Sequence, residues 1–278
     1  MHQTDLTRAL TAAMSLASDL GLSVQDVVVL QNANRLAVRL APANVLARVA
    51  PAVGGNEEVA AFELEMARRL EGAQGPVGEL APGLEAIIHR RGGFAITFWR
   101  YYDPLPAGPT PHEYACALQD LHVAMRRLDA PAPRFTDRVD EALAIVRDAE
   151  RSPALADADR TFLVEALRDL TRAILERGAE EQLLHGEPHP GNLLATSVGL
   201  RFIDLETCCL GPVEFDIAHA PDEVADHYPA ADPLLLRDCR ILMLAMVAAW
   251  RADRDDDFPN GREKRDELLG MLRRSLLT

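Results

Sequence analysis

The sequence predicts an α+β chain in two parts, a small β-rich part followed by a larger, mainly helical one, and three observations carry that expectation. Short β-prone runs crowd the first hundred residues between two helical stretches. A proline-rich segment from 103 to 111 has the composition of a stiff connector. Beyond it, apolar residues recur at helical spacing over most of the remaining length.

Taken in order, Leu6, Leu10, Met14, Ala17 and Leu20 share one helical face, and Gly21 follows as a stop. Val27 to Leu30, Leu36 to Leu40 and Val45 to Val49 read as a strand meander, the last two joined by the turn-like Ala41-Pro42-Ala43-Asn44. Gly54-Gly55 opens a helix over about 56–71, with Val59, Phe62, Met66 and Leu70 on one face. Leu84 to His89 and Phe94 to Tyr101 flank Arg91-Gly92-Gly93 and predict a hairpin. After the connector the spacing predicts helices over about 112–128, 137–150 and 158–178, broken by Pro131 and Pro133. Two short runs, Asn192 to Ala195 and Leu200 to Ile203, predict a hairpin among the helices, which return over about 232–253 and 262–277. The domain boundary therefore falls between residues 102 and 103.

A chain of 278 residues that is 48% apolar can bury a large core. Ile241 to Trp250 is the longest uncharged apolar run and covers about half of the roughly 20 residues that cross a bilayer, so it predicts a buried helix and no membrane partner. The N-terminus shows no basic region followed by an apolar core and cleavage site, which makes the cytoplasm the expected compartment. Cys116, Cys208, Cys209 and Cys239 form no CxxC pair and read as reduced thiols. A net charge of -14 argues against a nucleic-acid partner and would enrich a cationic substrate near an acidic cleft, although ordinary solubility explains it equally. Lys264 is the only lysine in the chain.

Chemistry concentrates between residues 185 and 216. Pro188 and Pro190 forbid a helix across His185 to Asn192, so the polar groups there sit on an irregular loop that enters the hairpin. Glu187 precedes Asn192 by five positions, and Asp204 follows it by twelve, at the end of the second strand. That spacing suits phosphoryl transfer: a carboxylate takes or orients the acceptor hydroxyl, while an Asn and an Asp offer hard oxygens to Mg²⁺.

The run His185-Gly186-Glu187-Pro188-His189-Pro190-Gly191-Asn192-Leu193-Leu194, then Phe202-Ile203-Asp204-Leu205-Glu206, Gly211-Pro212 and Phe215-Asp216-Ile217-Ala218, resembles the aminoglycoside phosphotransferase family and its choline-kinase-like relatives. The resemblance implies a protein-kinase-like bilobal fold, with residues 1–102 as a nucleotide-binding lobe and 103–278 as a catalytic and substrate-binding lobe. It implies ATP or GTP with Mg²⁺ as cofactors, and transfer to a hydroxyl of a small molecule such as an aminoglycoside or another antibiotic-like compound. It puts Glu187 at the catalytic acid position, His185 as the residue holding the catalytic loop, and Asn192 and Asp204 at the metal ligands. Asp216 matches an aspartate that braces that loop. Arg48 matches the strand cation that pairs with nucleotide phosphates, and Glu63 is its helix partner. Phe98 to Tyr102 matches the hinge that receives adenine, with Phe98, Trp99 and Tyr101 lining the nucleotide. Glu206, Asp222 and Glu223 fall where acceptors bind. The expected partner is a small hydroxyl-bearing molecule, with a cationic one among the candidates; the expected state is a monomer or homodimer.

The chain departs from the family's pattern in three ways. Glu187 replaces the usual catalytic aspartate, Arg48 replaces the strand lysine, and the loop Gln31-Asn32-Ala33-Asn34-Arg35, where nucleotide contact could use Asn34, has no glycine. These departures leave room for a pseudokinase that binds nucleotide without transfer. A third reading takes the alternation of His185, Glu187 and His189 as a zinc site, but the P-C-x-x-C that a zinc deaminase pairs with it is missing. Outside the resemblance, an arginine on a strand or a glutamate on a charged helix is ordinarily a surface group.

Overall fold

The computed structural model describes residues 3–32, 35–229 and 231–277. In chain order its elements are α1 (Gln3–Asp19), β1 (Val24–Asn32), β2 (Leu36–Pro42), β3 (Val45–Pro51), α2 (Asn56–Gly72), β4 (His89–Arg91), β5 (Phe94–Arg100), α3 (Pro111–Arg126), α4 (Phe135–Arg147), α5 (Asp157–Glu176), β6 (Gln182–Leu184), β7 (Leu193–Thr196), β8 (Gly199–Phe202), β9 (Cys209–Gly211), α6 (Val213–Ile217), α7 (Pro233–Trp250) and α8 (Gly261–Ser275). They form two compact units, one of residues 1–110, 123–128 and 191–207, the other of 111–122, 129–190 and 208–278.

In the first unit an antiparallel sheet runs in the order β1-β2-β3-β5-β4. Side chains alternate across a strand, so Leu36, Val38 and Leu40 of β2, Val45, Ala47 and Val49 of β3, and Phe94, Ile96 and Phe98 of β5 share one face. Helix α1 covers that face with Ala9, Ala12, Ala13, Leu16 and Ala17, whose small side chains let it lie close. Burying each Leu or Val there contributes about 1.5–3 kcal/mol. The same alternation sends Arg48 to the other face of the sheet, the face that α2 serves.

The strand expected over 84–89 shrinks to His89–Arg91. The β5 edge beyond Ile96 is taken instead by the segment after α2: Ala81 N–H donates to Phe98 C=O at 3.2 Å and Arg100 N–H to Glu79 C=O at 2.8 Å. With that edge occupied and Pro82-Gly83 turning the chain, residues 84–88 have no ladder to join.

The hairpin β7–β8 also groups with this unit, because its free edge is latched to the end of α2's connection. Phe202 N–H donates to Pro76 C=O at 2.8 Å and Gly78 N–H to Phe202 C=O at 2.7 Å. Gly78 permits the approach, since a Cβ there would lie 3.1 Å from Ile203 Cγ2.

The second unit packs α4, α5, α7 and α8 around Phe135, Leu163, Phe215 and Leu242. The apolar run at 241–250 lies in α7, largely buried as expected. Asp232 caps that helix by accepting from Leu234 N–H at 2.8 Å and Leu235 N–H at 3.1 Å, with Pro233 as its first residue. Strands β6 and β9 pair across about 27 residues of sequence, a two-stranded ladder that sequence periodicity does not show because each strand has only three residues. Gly211 is required in it: a Cβ would meet Phe135 Cδ1 at 3.0 Å and Leu184 Cδ1 at 3.2 Å.

Candidate active site

In the first unit, β3, α2 and the end of the β7–β8 hairpin converge on one ion-pair network. Arg48 donates through Nη1 to Glu63 Oε1 and through Nη2 to Asp204 Oδ1 at 2.7 Å. Arg35 joins from the start of β2, at 3.1 Å from Glu63 Oε2 and 2.5 Å from Glu206 Oε2. Glu63 is buried within α2, whereas the side chain of Asp204 is 33% exposed and that of Glu206 29%. Burial pushes the Glu63 carboxyl up to about 7 against the pull of Arg48 and Arg35. Burial also works against the Arg48 charge, but Glu63 and Asp204 outweigh it and hold the guanidinium above its ordinary value. Asp204 sits at φ 67°, a left-handed conformation that Asp tolerates better than most residues, and the turn points its carboxylate back toward β3. Asn192 is buried at the other foot of the hairpin, where its C=O accepts from Ile203 N–H at 2.9 Å, so the two expected metal ligands occupy adjoining ends of one hairpin.

In the second unit, Asp216 organises the loop that carries Glu187. Its Oδ2 accepts from His185 N–H at 2.8 Å and its Oδ1 from Gly186 N–H at 2.8 Å. The same Oδ2 takes His122 Nε2 at 2.9 Å, and His122 Nδ1 meets the Tyr228 hydroxyl at 2.7 Å. Burial would raise the Asp216 carboxyl, but the His122 hydrogen bond and charge, with the contributions of His185, bring it below its ordinary 3.8. The hydroxyl of Tyr114 donates to the Pro188 C=O from the neighbouring α3, and Gly186 adopts φ 88°. Glu187 itself pairs with Arg138 of α4.

The remaining expected residues lie as follows. Phe98 is buried in the core against α1, edge-on to His89 at 5.5 Å, and Trp99 Nε1 donates to Thr97 Oγ1 at 2.9 Å. Tyr101 lies beneath the Arg39 guanidinium at 4.2 Å. Asp222 is exposed and pairs with Arg240 at 3.2 Å, Glu223 is exposed beside it, and Glu206 joins the Arg35 and Arg48 network. Asn34 lies outside the described residues. Among the described residues the one set of three acidic, histidine or cysteine side chains able to close on a metal is Glu63, Asp204 and Glu206; His185 and His189 form no such set.

Residues 21–270 match the model of the phosphotransferase enzyme family. The chain belongs to that family. Among solved structures, this phosphotransferase is similar to the choline kinase LicA from Streptococcus pneumoniae, with a TM-score of 0.70 at 15% identity over 95% of this chain and 99% of that one. It is similar to an amicoumacin kinase in complex with AMP-PNP and Ca²⁺, with a TM-score of 0.69 at 11% identity over 98% and 96% of the two chains. It is also similar to the wild-type aminoglycoside 2′-phosphotransferase-IIIa in its GDP complex, with a TM-score of 0.68 at 16% identity over 98% and 99%. These likenesses establish the fold, α+β and protein-kinase-like, with an antiparallel sheet and a mainly helical second unit. No curated protein sequence matches the phosphotransferase.

The residues present in this phosphotransferase fit a magnesium ion by their chemistry. One carboxylate oxygen each from Glu63, Asp204 and Glu206 lies within 4.8 Å of the others, and three carboxylates against Arg35 and Arg48 leave a negative surplus when all are ionised. Hard oxygen donors with surplus charge suit Mg²⁺. Sequence reading did not single out Arg35, Arg138, His122 or Tyr228. Arg35 borders a glycine-free loop with no periodicity to place it. The other three lie on helices or beside them, where spacing marks a buried face and says nothing of which polar side chain reaches a loop distant in sequence.

Proposed function

We propose that this phosphotransferase moves the γ-phosphoryl group of ATP, with Mg²⁺, to a hydroxyl of a small molecule. The observation that carries the proposal is the network joining Arg48 on a strand, the buried Glu63 on a helix and Asp204 at the end of a hairpin. Three elements far apart in sequence hold one cation against a set of oxygen donors, the equipment that phosphate recognition requires.

On this reading Arg48 turns from Asp204 toward the nucleotide phosphates, its fork giving two parallel donors, while Glu63 keeps it in place. Asp204 and Asn192 hold the metal, with Glu206 as an additional oxygen donor. Bound there, Mg²⁺ supplies neutralisation of charge on the transferring phosphoryl group. The backbone of Phe98 to Tyr102 receives adenine or guanine, Phe98 and Trp99 of β5 with Tyr101 just beyond it position that backbone, and residues 1–102 handle the nucleotide. Residues 103–278 carry the acceptor chemistry. Glu187 takes the proton of the acceptor hydroxyl as its oxygen bonds to phosphorus and the bond to the β-phosphate oxygen breaks; His185 holds that loop. Asp222 and Glu223 supply carboxylates for a cationic acceptor such as an aminoglycoside, and the enzyme acts in the cytoplasm as a monomer or homodimer.

The test is phosphate release from Mg-ATP and transfer across aminoglycosides, amino alcohols, nucleosides and sugars. Asp204→Ala is expected to abolish Mg²⁺-dependent turnover; undiminished turnover would overturn the metal assignment. A pseudokinase reading draws on the pairing of Glu187 with Arg138, and Mg-ATP binding without transfer to any acceptor would favour it.

A further inference from the structure

Glu187 is one methylene longer than the aspartate the family pattern carries at this position, and its carboxylate is not left to itself. Arg138, one turn into α4, donates through Nη2 to Glu187 Oε1. The side chains are only 14% and 24% exposed, so the pair is largely withdrawn from water. Arg138 is fixed from a second side, where its guanidinium lies 5.1 Å from the centre of the Trp250 ring at the end of α7. The start of α4 is fixed too, by the Arg134 N–H donating to Asp137 Oδ2 at 2.8 Å.

We infer that Arg138 is a positioning residue for Glu187: clamped over Trp250, it fixes the longer carboxylate and so restores the placement a shorter aspartate would have from its own backbone. This inference rests on the phosphotransfer reading of Glu187. The physical case is entropic and electrostatic. A glutamate has one more rotatable bond to immobilise, and an unclamped carboxylate spends its time off the productive geometry. A guanidinium held by a ring face on one side can fix a carboxylate on the other in a way a flexible lysine does less well. Glu187 and Arg138 therefore form one functional pair, and the length of the first depends on the presence of the second.

The experiment measures phosphoryl transfer from Mg-ATP, to water and to whichever acceptor of the screen above is used fastest, for wild type, Arg138→Met, Arg138→Lys, Glu187→Ala and the Arg138→Met/Glu187→Ala double variant. Mg-ATP binding and thermal melting are followed for each. The expected result is a kcat for Arg138→Met lower by about 10- to 100-fold, an unchanged KM for Mg-ATP, partial recovery in Arg138→Lys, and no further loss when Arg138→Met is added to Glu187→Ala. An Arg138→Met loss of the same factor in both backgrounds, or none in either, overturns the inference. Should Arg138→Met fail to fold, Arg138→Lys and Arg138→Gln carry the same cycle. Wild type that binds Mg-ATP and neither releases phosphate nor transfers it to any acceptor of the screen removes the phosphotransfer reading and this inference together, whereas active wild type with an indifferent Arg138 removes this inference alone.

Discussion

Arg48 and Asp216 are each held by several partners, and the cost of removing each is set by what it leaves behind. Arg48→Met leaves Glu63 buried with one of its two arginines gone, and breaking a buried pair costs about 3–5 kcal/mol when the survivor stays charged. Because burial already raises Glu63 to about 7, part of that cost is met by protonation, and urea unfolding is expected to show a loss nearer about 3 kcal/mol at pH 8 that shrinks at pH 5. Asp216 behaves in the opposite sense. Its folded carboxyl lies below the ordinary 3.8, so its ionised form contributes stability above that value and loses it as pH falls through the lowered value. Asp216→Asn is therefore expected to destabilise by a few kcal/mol at pH 7, with the gap from wild type narrowing as pH falls through the lowered value, measured by urea unfolding at pH 7 and in acid. At this scale the sequence spoke unevenly. Glu187, Asn192 and Asp204 stood out because prolines excluded a helix and the spacing was short and local. Arg35 and Arg138 did not, because an arginine's partner is chosen by tertiary placement.

The elements show where local pattern ends. The meander of β1, β2 and β3, the helices α1 and α2, and the hairpin β7–β8 were all legible, since each is stabilised by its own period or turn. The short β4 was not, because a strand's extent depends on which neighbour is present, and residues 79–81 compete for the same edge of β5. The same competition makes Gly78 informative. Gly78→Ala places a Cβ 3.1 Å from Ile203 Cγ2, so the β8 latch must shift by a few tenths of an ångström just before Asp204. The expected outcome is a modest loss of stability, about 1 kcal/mol, together with weaker Mg-ATP binding by calorimetry. Gly211→Ala is expected to lower stability by more, about 1–3 kcal/mol, since the added Cβ meets Phe135 and Leu184, both fully buried core side chains, and to leave Mg-ATP affinity unchanged. Unequal effects on binding would separate the β7–β8 hairpin, which carries the proposed metal ligands, from the β6–β9 ladder of the second unit.

Over the whole molecule the largest unspent quantity is charge. A formal charge of -14 sets up a field that favours cations at any distance within the screening length, which is about 30 Å at 0.01 M salt and about 8 Å at 0.15 M. Much of the local acidity is already paired: Glu63 and Glu206 with Arg35 and Arg48, Asp238 with Arg177, Asp253 with Arg151. Asp222 and Glu223 are exposed, and Asp222 is paired with Arg240. If the acceptor is a polycation, its KM should rise steeply between 0.01 and 0.15 M salt while the kcat at saturating acceptor stays level, because screening acts on encounter and binding and not on a step within the bound complex. Asp222→Asn with Glu223→Gln should flatten that salt dependence for a cationic acceptor and leave it unchanged for a neutral sugar. A KM for the cationic acceptor that is indifferent to both salt and these substitutions would assign the charge of the chain to solubility alone, and would turn the search for the acceptor toward neutral alcohols.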